Sequence, residues 1–158
     1  MADRLTFTLH ELVAEIDAYA DDALRTRHGV TFSVFEFLAV LANAQPADMT
    51  TLARCLGVTK AAVSKRVPAL VEQGWVLARN APGEGRSIRL SLTSRGADLV
   101  RIAGDDLEAE FLSVIATSAD AGGIAALNGQ LNTLTDLFRR KNSAPPPTNT
   151  PHERGDLE

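Results

Sequence analysis

Cysteine is nearly absent. Cys55 is the only one in 158 residues, so neither an internal disulfide nor a thiolate-built zinc cage holds the fold together. Aromatic residues make up 5% of the chain while alanine and leucine abound, which favours helices packed through aliphatic side chains over a sheet-rich architecture. No apolar run approaches the roughly 20 residues that span a bilayer, and the first stretch is acidic where a secretory leader would be basic and then apolar. A cytoplasmic location with no membrane partner is therefore expected. The 3 histidines fall in no tight ligand spacing; His10 and His28 have Glu11 and Asp17 within reach, but a metal site is not expected. There is no Gly-rich phosphate loop, no HExxH, no G-x-S-x-G and no Cys/His pair in register, so the expectation is no enzyme and no cofactor. What is present is enough apolar content, 45%, to fold one domain by packing alone.

The formal charge of −4 conceals an uneven distribution. From Arg54 to Arg101 there are nine basic residues against three acidic ones, a local balance of +6, which leaves −10 on the remainder. A basic middle in an acidic frame suits a nucleic-acid reader whose middle touches phosphates, because counterion release depends on local contacts.

Periodicity and stop signals divide the chain. Leu5, Leu9, Leu12, Ile16, Tyr19 and Ala23 form the stripe of a long first helix that ends in basic residues and Gly29. Thr31 caps a second helix from Phe32 to about Asn43, with Phe35, Leu38 and Leu41 as its buried stripe, and Pro46 closes it. Asp48 or Thr50 opens a short helix that stops at Gly57, and Thr59 caps a fourth from Lys60 to Gln73, stopped by Gly74. Two short helices about a Gly-containing turn make a helix-turn-helix candidate. Trp75 to Asn80, the turn Ala81 to Gly85 and the alternating run Arg86 to Leu92 predict a hairpin, the wing. Thr93 caps a long helix to about Thr117, in which Val100, Leu107, Phe111, Val114 and Ile115 share a side. A last helix from about Asp120 carries Ile124, Leu127, Leu131, Leu134, Leu137 and Phe138. The fold class expected is mainly α with a small β-hairpin wing. Residues 31–92 form the winged helix-turn-helix, 1–30 with 93–141 a helical dimerisation region, and 142–158 a disordered tail.

On the fourth helix, Val63, Arg66, Val67, Leu70 and Val71 cluster on one side and should be core. Ala61, Ser64, Lys65 and Pro68 lie opposite, and short chains there would let the helix sit deep in a major groove while Lys65 reaches a guanine edge or a phosphate. Thr59, Lys60 and Ser64 are candidates for contacts at the helix N-terminus. Arg86 at the wing tip and Arg89 three residues on suit a minor groove, and Arg79 suits a phosphate. Trp75 is expected to be buried behind the wing. Cys55, between Leu52 and Leu56, is expected to be a small buried hydrophobe.

The stretch Leu52-Ala-Arg-Cys-Leu-Gly-Val-Thr-Lys-Ala-Ala-Val-Ser-Lys-Arg-Val67, then Leu70-Val-Glu-Gln-Gly-Trp-Val76 and Arg86-Ser-Ile-Arg-Leu-Ser-Leu-Thr-Ser-Arg-Gly96, resembles the MarR family of transcriptional regulators. Element order matches over roughly residues 5 to 140, and motif-level similarity over about 50 to 96. The resemblance implies a triangular homodimer in which the N-terminal and last two helices of both chains interlock. Each chain then offers one winged helix to a half-site of a pseudo-palindromic double-stranded operator. It also implies release of DNA by a small aromatic or phenolic ligand bound between the dimer helices and the winged helix, in a pocket walled by the first, second and fifth helices. Two departures stand out. Family wings carry Asp-x-Arg where this chain has Glu84-Gly-Arg86, and Pro68 sits inside the fourth helix, where it should remove the bond to the Ser64 carbonyl and kink the C-terminal half.

The function expected is thus a homodimeric, sequence-specific transcriptional regulator, a repressor released by ligand. The alternatives are a winged-helix module for protein–protein contact, or an oxidant-sensing regulator acting through Cys55.

Overall fold

Capping side chains and left-handed glycines set the element boundaries. In the computed structural model, which describes residues 4–80, 88–117 and 121–143, helix α1 (Leu5–His28) ends where Gly29 adopts φ 67° and its N–H returns to the Arg25 and Leu24 carbonyls. The Thr31 hydroxyl accepts the Val34 N–H and opens α2 (Phe32–Ala44), while the Asp21 carboxylate of α1 accepts the Phe32 N–H at 2.7 Å and ties the two helices at their junction. Asp48, not Thr50, caps α3 (Met49–Leu56) by accepting the Thr51 N–H at 2.7 Å. Gly57, at φ 66°, turns the chain into Thr59, whose hydroxyl caps α4 (Lys60–Glu72).

A two-residue strand, β1 (Ala47–Asp48), was not foreseen; the other two strands are β2 (Val76–Asn80) and β3 (Ile88–Leu92). All pair antiparallel in the order β1-β3-β2, with Ala47 opposite Leu90, and Ala78 opposite Leu90 from the other side. Ile88, Leu90 and Leu92 face inward as their alternation requires. The Gln45 side chain accepts the Leu92 N–H at 2.8 Å and anchors the end of α2 to the sheet. The expected turn, Ala81 to Gly85, and the wing-tip Arg86 lie outside the described residues.

Helix α5 (Ser94–Ala116) starts at Thr93, whose hydroxyl accepts the Gly96 N–H and donates to the Gly74 carbonyl at 2.7 Å. Gly96 is required at this junction: a Cβ built there would lie 2.3 Å from the Trp75 carbonyl oxygen.

The core combines Leu24 of α1, Phe37, Leu38 and Leu41 of α2, Leu52 and Ala53 of α3, Val63, Val67 and Leu70 of α4, Val76 and Leu90 of the sheet, and Leu99 and Ala103 of α5. Three expectations about the core are corrected. Phe37 takes the interior place assigned to Phe35, which is only half-buried. Val71 is exposed, because it lies about 80° round the helix from Val63. Trp75 is half-buried, with the Arg95 guanidinium 4.0 Å from its ring centroid. Pro68 is accommodated on the exposed side of a helix that continues to Glu72.

The chain divides into two compact units, up to Leu112 and from Ser113. The second holds the end of α5 and α6 (Ala121–Ser143), along which Leu127, Leu137 and Phe138 are exposed. In the first unit, α1 exposes Leu5, Phe7, Leu12, Val13 and Tyr19, with Phe7 70% accessible. Among the described residues, no helix is long and apolar enough to cross a membrane.

Candidate nucleic-acid interface and ligand cleft

Helix α4 presents two chemically different sides. Val63, Val67 and Leu70 are buried in the core, whereas Lys60, Ala61, Ser64 and Lys65 are exposed on the first two turns. Thr59 is exposed too, but its hydroxyl oxygen is engaged by the Ala62 N–H at 3.1 Å, so the residue organises the N-terminus while its O–H remains able to donate. The result is a helix end with small side chains, two ammonium groups and the positive end of the helix dipole facing outward.

The basic surplus of the middle segment is not all on offer to a partner. Arg66, placed on the core side from helical phase, is half-buried and donates to the backbone carbonyl and, at 2.9 Å, to the hydroxyl of Ser33 at the start of α2; its guanidinium lies 5.0 Å from the Phe37 ring centroid. Arg95 stacks on Trp75 and donates to the Gln73 carbonyl at 3.1 Å. Both arginines hold the winged helix together. Arg54, Lys60, Lys65 and Arg79 are exposed.

Arg79 and Arg89 are cross-strand neighbours on the outer side of the sheet, and Arg89 also faces Asp48 in β1. Arg89 is half-buried and Arg79 exposed, so Arg79 is the more accessible cation of the pair. The carboxyl of Asp48 is held below its ordinary value, first by the Thr51 N–H that it accepts and, more weakly, by the Arg89 charge.

Cys55 is exposed on α3, contrary to the expected burial. Among the described residues, no group of three metal-ligating side chains converges.

A second feature of the first unit is built by α1, α2 and α5. Ile16, Tyr19 and Ala20 of α1, Phe32 and Phe35 of α2, and Gly104, Leu107, Glu108 and Phe111 of α5 line an open, largely apolar cleft of about 360 Å³. These are the three helices named from the family resemblance, but no single residue was assigned from sequence. The ring of Phe35 comes to 3.8 Å from where a Gly104 Cβ would stand, so the missing side chain leaves room beside an aromatic wall, an approach of distant residues that the sequence does not show. At the rim, the Tyr19 hydroxyl donates to Glu110 at 3.1 Å and Arg27 pairs with the same carboxylate. That hydrogen bond and the carboxylate charge raise the Tyr19 phenol above its usual value, so it stays neutral at physiological pH. His28 meets Asp106 at 3.1 Å one turn away.

Residues 28–87, which run from the end of α1 through α2, α3, α4 and β2 and stop before β3, match the MarR family. Over these residues the chain is similar to the winged helix of the MarR family. Solved MarR-family structures superpose on most of the chain. Streptococcus pneumoniae FabT in complex with DNA matches with a TM-score of 0.73 at 16% identity over 87% of this chain and 96% of that one. Wild-type apo MarR from E. coli matches with a TM-score of 0.72 at 22% identity, covering 85% and 98%. A Mycobacterium tuberculosis MarR-family protein in complex with p-aminosalicylic acid matches with a TM-score of 0.69 at 25% identity, covering 84% and 99%. A search of curated proteins gives no match. The MarR-type fold therefore extends well beyond the 60 residues of the family match, into the long helices on either side.

Proposed function

We propose that this protein is a homodimeric transcriptional repressor that reads a pseudo-palindromic double-stranded operator and lets go when a small aromatic ligand enters the α1–α2–α5 cleft. The observation that carries the reading is the two-sidedness of α4: a buried aliphatic side fixes the helix, and Lys60, Ala61, Ser64 and Lys65 are left exposed at its N-terminal end. Small side chains allow close approach to base edges, Lys65 reaches a guanine or a phosphate, and Thr59 with the N-terminal amides suits a phosphate oxygen. Arg79 adds backbone contacts from the sheet, with Arg89 and the sequence-assigned Arg86, which lies outside the described residues, completing the set. FabT, of the same fold, is known in complex with DNA.

Dimerisation rests on the exposed apolar residues of α1 and α6, since Leu5, Phe7, Leu137 and Phe138 are more than half accessible in the single chain and a second copy is the simplest cover. Ligand control rests on the cleft, whose volume falls in the range of about 300–1,000 Å³ usual for small-molecule sites. The related M. tuberculosis protein holds an aromatic acid, p-aminosalicylic acid.

Mobility shifts with DNA from the protein's own promoter region and with scrambled duplex, at two salt concentrations, test the proposal. A preference for promoter DNA that persists while overall affinity drops steeply with salt supports it. Equal, weak binding of both duplexes refutes it.

A further inference from the structure

The charge arrangement around the cleft bears on which ligands it selects. Helices α1 and α5 carry ten acidic residues and four arginines between them. Each of the four arginines has a partner: Arg25 lies on Asp21, Arg27 on Glu110, Arg95 over Trp75, and Arg101 is 3.8 Å from Asp98. The cleft lining contains no basic side chain, but it does contain the Glu108 carboxylate, which forms no ion pair among the described residues. Tyr19, Phe32, Phe35 and Phe111 supply four aromatic rings to the same wall. Ring faces are electronegative and attract cations, so aromatics beside an unpaired carboxylate suit an ammonium. An anionic ligand meets the opposite conditions. Its charge would lie near Glu108 with no cation to offset the lost hydration, and the Tyr19 hydroxyl it could recruit as donor is already given to Glu110.

We propose that the α1–α2–α5 cleft selects cationic aromatic amines, with the ring body among Tyr19, Phe32, Phe35 and Phe111 and the ammonium facing Glu108. This rests on the reading of the cleft as the effector site. The acidic walls also raise the local concentration of cations at its mouth.

Three probes with one ring body separate the possibilities: 1-naphthylmethylammonium, 1-naphthylmethanol and 1-naphthoate, each titrated calorimetrically into the full-length protein. The expected order is ammonium tightest, alcohol next and naphthoate weakest, with ammonium and naphthoate at least about tenfold apart. Glu108→Gln should weaken the ammonium about fivefold, as for an ion pair open to solvent, and leave the alcohol unchanged. Gly104→Leu, which fills the cleft beside Phe35, should weaken both the ammonium and the alcohol; its unliganded melting temperature and that of Glu108→Gln report whether the fold is intact. Naphthoate binding as tightly as the ammonium overturns the charge preference but leaves the cleft standing as an effector site. Ammonium binding untouched by Gly104→Leu overturns the assignment to this cleft. Absence of binding by all three probes overturns both the preference and the effector reading.

Discussion

Arg79 stands directly opposite Arg89 across the β2–β3 ladder, and only Arg89 has an acidic residue, Asp48, opposite it on the far strand. Like charges placed opposite one another in a sheet repel, so Arg79 is held at some cost to the fold that an anionic partner would relieve. Arg79→Ala should therefore leave the urea midpoint unchanged or slightly raised, within about 0.5 kcal/mol. Its affinity for duplex DNA should fall about equally for operator and random sequence, with the slope of log affinity against log salt shallower by about one. Fluorescence anisotropy at several salt concentrations checks this; an unchanged slope would show that Arg79 touches no phosphate.

Arg66 makes the opposite prediction although it lies on the same helix as Lys65. It donates twice to Ser33 and covers the Phe37 ring, so it ties α4 to α2. Arg66→Met should lower stability by about 1–2 kcal/mol in urea unfolding, the scale of a partly exposed charged hydrogen bond with a cation–π contact. The salt slope of DNA binding should stay as in the unsubstituted protein.

The contrast shows what the sequence carries and what it does not. Thr31, Thr59, Thr93, Gly29 and Gly57 were legible because a cap is a matter of three or four consecutive residues, and the buried side of α4 at Val63, Val67 and Leu70 followed from helical phase. The exposed Ala61, Ser64 and Lys65 followed from the same phase, and Lys60 from its place at the helix N-terminus. Contacts between distant residues were not legible. Arg66 with Ser33, Arg95 with Trp75 and Arg27 with Glu110 depend on how helices pack, and an arginine's long stem lets it serve a core side that its charge would seem to forbid. Strand β1 is two residues long, too short to show alternation. Cys55 sits between apolar residues in sequence, yet on the helix it lies about 100° from the direction shared by Leu52, Ala53 and Leu56, enough to turn it to solvent.

Asp48 gives the fold a pH dependence of known sign. Its folded pKa is depressed by the Thr51 N–H and, secondarily, by the Arg89 charge. The stability it contributes is therefore complete above its unfolded value of about 4 and is lost as pH falls through the lower folded value. Asp48→Ala should be less stable than the unsubstituted protein at neutral pH, with the gap narrowing in acid. Asp48→Asn keeps an acceptor for the cap without the charge, so its deficit should be smaller. Urea midpoints across that range check the sign; a gap that widens in acid would contradict it.

Gly96 joins the wing to α5 where no side chain fits. Because a Cβ there meets the Trp75 carbonyl at 2.3 Å, Gly96→Ala should destabilise by about 1–3 kcal/mol despite the better helix propensity of alanine. Gly104, with only the Phe35 ring at 3.8 Å, is the control: Gly104→Ala should stabilise by up to about 1 kcal/mol. Thermal unfolding of the two variants gives shifts of opposite sign if the close approach at Gly96 is the cause.

Selection from a randomised duplex library tests the central claim most directly. The unsubstituted protein should enrich an inverted repeat whose half-sites lie about 10 base pairs apart, the spacing of two recognition helices on one face of the duplex. A protein carrying Lys60→Ala, Ser64→Ala and Lys65→Ala together should fold normally and enrich no such repeat. Enrichment of the same repeat by both proteins, or of none by either, would contradict the account.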